Sequence, residues 1–524
     1  MVSDDLLAAT RPRRPVRTPF GDLVGWLRAL DATTEVRGDL GGAEEVELTG
    51  LSLSSQRIAP GDLYAALPGA RVHGIEFAAA AAEAGAVAIL TDPDGAERAR
   101  AAGGSLPPLL VVERPRAVLG RLAAHMYGEP AGGLRMIGVT GTQGKTTTTR
   151  LIESGLQRAG VPTAVIGTVG TRVAGQDLPT SLTTPEAPDL HGLFAMMRER
   201  GVVSCAMEVS SHALVMGRVD GVVFDLAVFT NLGRDHLDFH VDLEDYFQAK
   251  ASLFTPERAR RGLVNVDDEH GRRLLAEATI AMRTFSLTGR DADWQAVEVE
   301  LEAGRSTFTV LGPDGIAVEA GVPIPGDFNV ANALAAIAAC GEVGFDVGRV
   351  ASGIMLGGGV PGRLEPVDAG QEFVVVVDYA HKPDAVEAAI RTLRPLTSGQ
   401  VIVVLGAGGD RDPGKRPLMG EIAARLADVL VVTDDNPRSE DPAQIRAAVL
   451  SGVGAGEADV LEIGDRRAAI AAALDRARPG DIVVVAGKGH ETGQEINGVV
   501  HPFDDREVLR ALLAGRAGPR RVSP

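Results

Sequence analysis

The chain has 524 residues, of which 45% are hydrophobic and 23% are charged, and its formal net charge is −18. This composition excludes a largely disordered chain, and the length predicts two to four domains. The acidic charge argues against a general nucleic-acid binder or a protein held on an anionic membrane surface, so anionic ligands must be bound by local cationic sites.

The N-terminal segment combines four arginines with prolines and lacks the apolar core of a signal peptide. We therefore predict a disordered leader over residues 1–19. No apolar run approaches the length of a membrane span. Only Cys205 and Cys340 are present, without a CxxC pair, which favours a reducing compartment and a cytoplasmic protein.

Residues 20–133 predict a small α/β domain, because short apolar runs alternate with alanine-rich helical segments. A strand is expected at 63–67, and 74–91 predicts a helix, a glycine break and a second strand. Ala131, Gly132 and Gly133 form the predicted linker to the next domain.

The second predicted domain, residues 134–364, opens with a buried strand at 136–139 and a glycine-rich segment at 141–146, GTQGKT, which we call the phosphate loop. Backbone amides, the positive end of the following helix and the charge of Lys145 predict a site for nucleotide phosphates. The strict P-loop pattern fails because Val139 stands where it requires glycine. The alternative is a plain glycine turn with a surface lysine.

Two further strands are predicted in this domain, at 202–209 and 222–230. Ligands of open parallel sheets bind beyond the carboxyl ends of the strands, so Glu208, Ser210 and His236 should share a crevice with the phosphate loop. A carboxylate and an imidazole beside a triphosphate suggest Mg²⁺ ligation.

The third predicted domain, residues 365–524, follows a glycine-rich hinge at 357–363. Continuous apolar runs predict parallel strands buried on both faces, at 373–377, 401–405, 429–433 and 482–486. A polar loop follows each run, and by the crevice rule these loops form one edge, which we call the C-terminal rim. The cations and carboxylates of this rim suit an amino-acid zwitterion. The alternative is that they are charged turn residues exposed to solvent. The residues in question are Arg411, Asp435, Asn436, Arg438 and Glu491.

A series of motifs then identifies a family. The chain carries, in order, the loop GTxGKT, TTPE from Thr183, MEVSSH from Met207, NLGRDHLDFH from Asn231, AKASLF from Ala249, GDFNVANALAA from Gly326, PGRLE from Pro361, DYAHKPDA from Asp378 and GKGHE from Gly487. In these motifs it resembles the Mur ligases of peptidoglycan synthesis over residues 48–512. The family's phosphate loop is GTxGKT, which accounts for Val139.

The resemblance implies an α/β fold with three domains: a small α/β UDP-substrate-binding domain, a central P-loop-type ATPase domain with a mostly parallel sheet, and a Rossmann-like amino-acid-binding domain. It implies an ADP-forming ligase, closest to members that add diaminopimelate to UDP-N-acetylmuramoyl-L-alanyl-D-glutamate through an acyl phosphate. ATP and Mg²⁺ are the implied cofactors. The implied partners are small molecules, with no nucleic acid or membrane, and the implied state is a monomer.

The resemblance also implies roles for individual residues of the central domain. The ATP phosphates would be held by Gly141, Thr142, Gln143, Gly144, Lys145, Thr146 and Thr147, and the rest of the nucleotide by Asn329, Arg363 and Asp378. The implied metal ligands are Thr146, Glu208, His236 and Lys250, and the implied catalytic residues are Lys145, Glu208, His236 and Lys250. Lys250 would carry a CO₂-derived carbamate, which turns an amine into an anionic oxygen ligand.

Substrate contacts follow from the same motifs. The muramoyl dipeptide would meet Thr183, Thr184, Ser210 and Arg218, and the UDP end would meet Ser55, Ala70, Arg71 and Val72. The incoming amino acid would meet Arg411, Asp435, Asn436, Pro437, Arg438, Gly487 and Glu491. The chain departs from the family where Ser54, Ser55 and Gln56 replace the usual DSR and where Met216 replaces a frequent glutamine, which affects substrate-end contacts.

Several alternatives remain at this stage. Within the ligases, the chain could add D-alanyl-D-alanine or act as a folylpolyglutamate-type enzyme, although the DNPR segment at 435–438 argues against both. A P-loop kinase or NTPase would transfer phosphate without forming an amide. A non-catalytic nucleotide-binding module is disfavoured by the intact set of Lys145, Glu208, His236 and Lys250. The stereoisomer of diaminopimelate stays open, because one arginine can meet a carboxylate of either hand.

Overall fold

The computed structural model describes residues 10–38, 46–179, 182–454 and 458–516. The chain divides into two compact units. The first unit comprises Met1–Trp294 and Ala335–Val350, and the second comprises Gln295–Leu334 and Ala351–Pro524. The predicted domain boundaries at 133/134 and 364/365 remain predictions.

The N-terminal part of the first unit is built on a five-stranded sheet in the order β2-β7-β6-β5-β4, which is parallel except for β2. The five strands of this sheet are β2 Glu35–Arg37, β4 Gly50–Ser52, β5 Asp62–Ala65, β6 Ala88–Thr91 and β7 Leu109–Val111. A separate two-stranded sheet pairs β1 Thr18–Pro19 with β3 Glu47–Leu48. The helices of this part are α1 Phe20–Leu30, α2 Ala78–Glu83, α3 Pro93–Ala102 and α4 Pro115–Met126. Buried leucines and alanines of β4–β7 pack against α1 and α4 to form the core. The two strands and the helix expected within 63–91 are present, as β5, α2 and β6.

The prediction of a disordered leader is wrong for residues 10–19. Strand β1 pairs antiparallel with β3, with Thr18 opposite Leu48. The guanidinium of Arg11 lies 2.8 Å from the carboxylate of Asp62, whose side chain is 1% exposed. Sequence composition missed this contact because the partner lies 51 residues away. Residues 1–9 of the predicted leader lie outside the described residues.

The remainder of the first unit contains eight strands in the order β11-β10-β9-β12-β8-β13-β14-β15. The six strands from β9 to β15 in this order are parallel, and β10 and β11 add an antiparallel edge. Their bounds are β8 Arg135–Thr140, β9 Thr163–Ile166, β10 Thr171–Val173, β11 Gln176–Leu178, β12 Ser204–Glu208, β13 Leu226–Phe229, β14 Arg261–Asn265 and β15 Ala281–Ser286. The helices are α5 Lys145–Arg158, α6 Ala187–Glu199, α7 Ser211–Val215, α8 Leu243–Ala251 and α9 Glu269–Glu277.

Two helices have residues in both units, α10 Asp327–Glu342 and α11 Val347–Met355. The three predicted strands of the central domain are present, and β12 and β13 are shorter than predicted. Their buried apolar residues continue into neighbouring loops at Val202 and Val222, so apolar character alone did not mark the strand ends.

Apart from Trp294, which belongs to the first unit, the second unit contains an antiparallel set, β16 Trp294–Leu301, β17 Ser306–Leu311 and β18 Ala317–Val322. It also contains a six-stranded sheet in the order β19-β20-β24-β21-β22-β23. That sheet is parallel except for β19, and its strands are β19 Glu365–Pro366, β20 Val374–Asp378, β21 Val401–Leu405, β22 Val429–Val432, β23 Asp459–Glu462 and β24 Ile482–Ala486. A hairpin follows, β25 Gly493–Ile496 and β26 Val499–Pro502. The helices are α12 Pro383–Leu393, α13 Lys415–Leu426, α14 Pro442–Leu450, α15 Arg466–Arg476 and α16 Asp505–Arg516.

The predicted α/β fold class is confirmed, with a large, mostly parallel central sheet and a C-terminal sheet domain. All four predicted C-terminal strands are present, and valine and isoleucine side chains of these strands are buried in the core. Among the residues that the structure describes, no helix is long and apolar enough to cross a membrane.

Candidate active site

Three neighbouring parallel strands of the first unit end at one edge of their sheet. β8 pairs with β12, with Val139 opposite Glu208, and with β13, with Thr140 opposite Phe229. The phosphate loop, Glu208 and the segment that leads to His236 therefore all leave the sheet at its carboxyl edge, where open α/β sheets bind ligands. This is the strand order that the crevice prediction requires.

Two glycines give the phosphate loop its shape. Gly141 has φ +148°, and a Cβ atom there would lie 2.0 Å from the hydroxyl of Thr230. Gly144 has φ +87° and immediately precedes α5. The loop is fastened to the segment that follows β13, because the amides of Thr142 and Gln143 donate to the backbone and side-chain oxygens of Asn231, each at 2.9 Å. The amides at the start of α5 and the helix dipole are then the groups that face an anion.

Lys145 is the first residue of α5 and lies over the phosphate loop. Its Nζ atom donates to the carbonyl oxygens of Gly141 at 2.7 Å and Thr142 at 2.9 Å. Thr146 and Thr147, which follow it, are buried. A full positive charge thus lies within a loop whose backbone also favours an anion.

Lys250, in α8, is buried at the same loop. Its side chain is 1% exposed, and its Nζ atom donates to the carbonyl oxygen of Gly141 at 2.8 Å. Burial, with the like charge of Lys145, lowers the pKa of the Lys250 ammonium well below its usual value. The neutral amine that this favours is the form that reacts with CO₂, so the environment fits the predicted carbamate.

Tyr246 joins the predicted catalytic residues and was not predicted itself. Its ring lies 4.4 Å from Nζ of Lys250 and 6.0 Å, centroid to centroid, from the ring of His236. Its hydroxyl lies 3.2 Å from the hydroxyl of Thr142. Tyr246 precedes Lys250 by one helical turn, a spacing that places both on one face of α8. The structure therefore gathers Lys250, His236 and the phosphate loop around one aromatic ring.

Glu208 ends β12 and is buried, with 1% of its surface exposed. Its carboxylate accepts hydrogen bonds from the amide of Thr168 at 2.8 Å and from the hydroxyl of Thr168 at 3.0 Å. Both donors are neutral, so the negative charge of Glu208 is solvated by dipoles alone in these contacts. Carboxylate and hydroxyl oxygens are the ligands that Mg²⁺ prefers, so the chemistry of this residue fits a divalent cation.

The predicted metal set relies on groups other than a cluster of protein carboxylates. Across residues 10–38, 46–179, 182–454 and 458–516, no group of three or more His, Cys, Asp or Glu side chains could hold a metal ion. The predicted set of Glu208, His236, Thr146 and a modified Lys250 has only two such side chains. A carbamate on Lys250 would supply a further anionic oxygen. The predicted metal site therefore depends on the modification of Lys250.

The residues predicted to hold the muramoyl dipeptide form one hydrogen-bonded group beside Glu208. The hydroxyl of Thr184 donates to the carbonyl oxygen of Glu208 at 2.8 Å and accepts from the amide of Ser210 at 3.3 Å. Arg218 donates to the carbonyl oxygen of Thr184 at 3.3 Å. Thr183 connects through its hydroxyl to that of Thr168 at 3.1 Å. Thr168, outside every quoted motif, is the residue that sequence reasoning missed here.

The residues predicted to meet the UDP end lie in the N-terminal part of the first unit. Ser55 begins a 3₁₀ turn, Ser55–Arg57, and is partly buried. Ala70, Arg71 and Val72 are exposed in a loop closed by a bridge between Pro68 and His73. Each is accessible to a ligand.

In the second unit, Arg363 and Asp378 lie together. The guanidinium of Arg363 is 4.8 Å from the ring centroid of Tyr379, and Asp378 accepts from the amides of Leu364 and Ala380, each at 2.8 Å. Burial raises the pKa of Asp378 in spite of the opposing charge of Arg363. Asn329 is fixed separately, because its side-chain amide donates to the carbonyl oxygen of Pro325 at 2.8 Å.

The C-terminal rim is held together by a buried lysine. Asn436 donates to the carboxylate of Glu491 at 2.8 Å, and Nζ of Lys488 contacts both Asn436 and Glu491 at 3.2 Å. Lys488 is 0% exposed. Gly487 packs against Asp435, since a Cβ atom there would lie 2.4 Å from the carboxylate. The loops after β22 and β24 are thus joined as the crevice rule predicts.

Two arginines border Gly408 in the same rim. A Cβ atom on Gly408 would lie 3.1 Å from Nη1 of Arg438 and 4.0 Å from Cγ of Arg411. Arg438 donates through Nη1 to the carbonyl oxygen of Gly409 at 2.6 Å. Pro437 lies against the same segment, because its carbonyl oxygen would be 1.9 Å from a Cβ atom on Gly409. The rim therefore holds two arginine side chains beside Gly408.

Comparison with known proteins matches most of the chain to three family models. These are the Mur ligase family catalytic domain at residues 47–127, the Mur ligase middle domain at 139–340 and the Mur ligase glutamate ligase domain at 362–489. The chain is also 55% identical over 519 residues to a UDP-N-acetylmuramoyl-L-alanyl-D-glutamate–2,6-diaminopimelate ligase of Streptomyces coelicolor, covering 97% of this chain and 99% of the relative. The chain belongs to the Mur ligase family.

Solved structures of Mur ligases share the fold. The structure of a UDP-N-acetylmuramoyl-L-alanyl-D-glutamate–2,6-diaminopimelate ligase matches with a TM-score of 0.68 at 33% identity, over 96% of this chain and 100% of that chain. The MurF ligase from Thermotoga maritima, solved in complex with ADP, matches with a TM-score of 0.59 at 20% identity, over 89% and 98% of the two chains. The resemblance to Mur ligases drawn from the motifs is confirmed.

In this Mur ligase, the sequence motifs identified charged residues of the predicted site. They did not identify the residues that form hydrogen bonds or ion pairs with those charged residues. Lys488 lies inside the GKGHE motif, and its burial could not be read from a sequence in which lysine is usually exposed. Thr168 and Glu495 fall outside the motifs, and only the folded chain brings them to Glu208 and Arg438. Tyr246 had a usable signal in its spacing from Lys250.

Proposed function

We propose that this Mur ligase adds diaminopimelate to the D-glutamate side-chain carboxylate of UDP-N-acetylmuramoyl-L-alanyl-D-glutamate, with ATP converted to ADP and phosphate. The full-length relative that is 55% identical carries the name of this activity. The observation that carries the proposal is in the C-terminal rim. There the side-chain amide of Asn436 donates to the carboxylate of Glu491 at 2.8 Å, and Arg438 follows Asn436 by two residues. A carboxylate and a guanidinium are thereby provided for the two kinds of charge on an amino acid.

The first step activates the acceptor carboxylate. An oxygen of the D-glutamate side chain attacks the γ-phosphorus of ATP, the bond from that phosphorus to the β,γ-bridging oxygen breaks, and ADP leaves. Lys145 and the amides at the start of α5 neutralise charge on the phosphates during transfer. Thr183, Thr184, Ser210 and Arg218 would position the dipeptide, so that catalysis is chiefly positioning and electrostatics.

The second step forms the amide. The amino group of diaminopimelate attacks the carbonyl carbon of the acyl phosphate, a tetrahedral intermediate forms, and phosphate leaves as the nitrogen loses a proton. No protein nucleophile is required. Asn329, Arg363 and Asp378 would hold the nucleotide, and Ser55 with Ala70, Arg71 and Val72 would hold the UDP end.

We propose Thr146, Glu208, His236 and carbamylated Lys250 as the residues that hold Mg²⁺. When bound, Mg²⁺ would offset negative charge on the triphosphate. The neutral donors around Glu208 and the lowered pKa of buried Lys250 support this assignment. Lys250 would act through its carbamate, which would place a negative charge beside Gly141, where burial favours a neutral amine in the unmodified lysine.

The choice of amino acid would rest on Arg438. Diaminopimelate carries a second carboxylate at its far end, with which a guanidinium can form two parallel hydrogen bonds. Lysine has no such carboxylate and would leave the arginine facing an ammonium group. A site built around a charged hydrogen bond can reject the wrong ligand by about 10⁴. We propose that the enzyme works on these small molecules as a cytoplasmic monomer.

A turnover assay tests the proposal. Purified protein is incubated with ATP, Mg²⁺, the UDP-muramoyl dipeptide and, in parallel, LL-diaminopimelate, meso-diaminopimelate or L-lysine, and ADP and phosphate are measured. We expect release to depend on the dipeptide and on a diaminopimelate isomer, with lysine far poorer. Release no faster than without an amino acid would contradict the proposal. A stable phosphorylated product without an amino-acid requirement would instead indicate a kinase.

A further inference from the structure

Glu495, in the hairpin that follows the GKGHE motif, lies on the arginine proposed to select the substrate. Its carboxylate oxygen Oε2 is 3.3 Å from Nε of Arg438. The side chain of Arg438 is 22% exposed and that of Glu495 is 40% exposed, so the pair is half-buried and reachable from solvent. A carboxylate of the protein therefore lies on Nε of the guanidinium, one of the N–H groups that a bidentate substrate carboxylate could use.

The backbone holds this pair in register. The amide of Arg438 donates to the carbonyl oxygen of Glu495 at 3.0 Å, and the amide of Asn497 donates to the carbonyl oxygen of Arg438 at 2.7 Å. Arg438 has φ +53°, a left-handed conformation that is uncommon for a residue with a side chain. The hairpin thus fixes a strained residue and keeps Glu495 beside its guanidinium.

Further contacts tie the hairpin to the rim. The side-chain amide of Gln494 donates to the carbonyl oxygen of Asp435 at 2.7 Å, and the amide of Glu495 donates to the side chain of Asn436 at 3.0 Å. Lys488 donates to the carbonyl oxygen of Gly493 at 2.5 Å. These three contacts attach the hairpin to the C-terminal rim. They also fix the position of Glu495 beside Arg438.

We propose that Glu495 is a specificity-determining residue that stands in for the distal carboxylate of the amino acid. It pairs with Arg438 until a diamino dicarboxylic acid binds and displaces it. This inference rests on the proposed function, because it assumes that Arg438 receives a substrate carboxylate.

The consequence differs for the two kinds of amino acid. Diaminopimelate must displace Glu495, so the internal carboxylate weakens its binding. Lysine has no distal carboxylate, so Glu495 stays on Arg438 and spares the guanidinium from being left unpaired. Glu495 therefore lowers the discrimination that Arg438 alone would give, and its removal should sharpen selectivity.

The test replaces Glu495 by glutamine, which keeps the shape and removes the charge. We expect the KM and the calorimetric dissociation constant for diaminopimelate to fall about two- to fivefold, the range for a partly exposed ion pair, and those for L-lysine to rise by a similar factor. Glu495→Asp withdraws the charge by one methylene and should fall between wild type and Glu495→Gln. Glu421→Gln, at an exposed position of α13, makes the same change in net charge and should alter neither constant.

The outcomes separate this inference from the proposed function. If wild-type protein neither binds nor uses diaminopimelate, the proposed function fails and Glu495 loses its role with it. If wild type uses diaminopimelate but Glu495→Gln binds it no more tightly, or more weakly, only the inference is overturned, because Glu495 then supports the ligand or the loop. Unchanged KM for ATP and an unchanged thermal midpoint in Glu495→Gln show that its effect is confined to this pocket.

Discussion

The Nζ atom of Lys250 donates a hydrogen bond of 2.8 Å to the carbonyl oxygen of Gly141. This contact joins helix α8 to the first glycine of the phosphate loop, across 109 residues of sequence. A second lysine, Lys145, donates to the same carbonyl oxygen at 2.7 Å. Two amines thus share one acceptor, and a carbamate on Lys250 would place a negative charge beside the ammonium group of Lys145.

Lys250→Ala is expected to lower kcat by about 10²–10³, the cost of removing one electrostatic group from a preorganised site. In protein supplied with ¹³C-bicarbonate, a carbamate carbon resonance should appear for wild type and be absent for Lys250→Ala. Gln248→Ala, at an exposed position of the same helix, should leave both kcat and the carbamate resonance unchanged. Full activity in Lys250→Ala, or its loss without any carbamate signal in wild type, would contradict the assigned role.

Gly141→Ala is expected to damage nucleotide binding. An added Cβ atom would lie 2.0 Å from the Thr230 hydroxyl, and the backbone has φ +148°, so the loop must move. We expect the KM for ATP to rise at least tenfold and the free energy of unfolding to fall by about 1–3 kcal/mol. Gly132→Ala is the control, since no heavy atom lies within 4 Å of its added Cβ. Equal KM values for ATP in the two variants would argue against this loop as the phosphate site.

Arg438→Ala is expected to lower kcat/KM for diaminopimelate by about 10²-fold or more, because a partly buried charged partner is lost. The KM for ATP should stay within twofold of the wild-type value, since Arg438 lies in the C-terminal rim and not in the phosphate loop. Arg425→Ala removes a guanidinium of α13 that is 42% exposed and should leave both values unchanged. A parallel loss for ATP and diaminopimelate would contradict selection by Arg438.

His191 is expected to make the protein less stable in acid. It is fully buried in α6, its Nε2 atom lies 3.1 Å from the carbonyl oxygen of Asp220, and burial lowers its pKa from 6.5 to about 4. Between these pH values the unfolded chain binds a proton that the folded chain does not. The contribution of neutral His191 to the free energy of unfolding is therefore fully present above pH 6.5 and decreases as the pH falls towards 4. The full loss is about 3 kcal/mol.

The measurement is the thermal midpoint of wild type and His191→Gln from pH 7 to pH 4.5. Glutamine can still donate to Asp220 and has no proton to gain in this range. The midpoint of the variant should therefore fall less than that of wild type as the pH decreases. Parallel curves for the two proteins would show that His191 does not carry this part of the pH dependence.

Much of the fold followed from apolar runs. The strands at 401–405 and 482–486 agree with prediction in both bounds, because valine and isoleucine runs closed by glycine leave little choice of structure. The leader was misjudged from composition, since the ion pair of Arg11 with Asp62 depends on a partner far along the chain. Local sequence carries no signal for such a contact.

The candidate site was predictable where chemistry is concentrated in motifs. Lys145, Glu208 and Lys250 were named from such motifs, and the structure places all three at one edge of the sheet. The supporting contacts were not predictable, because Thr168 and Glu495 are ordinary loop and hairpin residues until folding brings them to a charge. Their roles depend on distances of about 3 Å that sequence spacing does not encode.

The central claim is that a carboxylate is activated by phosphoryl transfer, and oxygen labelling tests it directly. The UDP-muramoyl dipeptide is prepared with ¹⁸O in the D-glutamate side-chain carboxylate and turned over with ATP and diaminopimelate, and the released phosphate is analysed by ³¹P NMR. An acyl phosphate predicts one ¹⁸O atom in the phosphate for each amide formed. Released phosphate that carries no ¹⁸O, and whose rate of release does not depend on amide formation, would contradict the account.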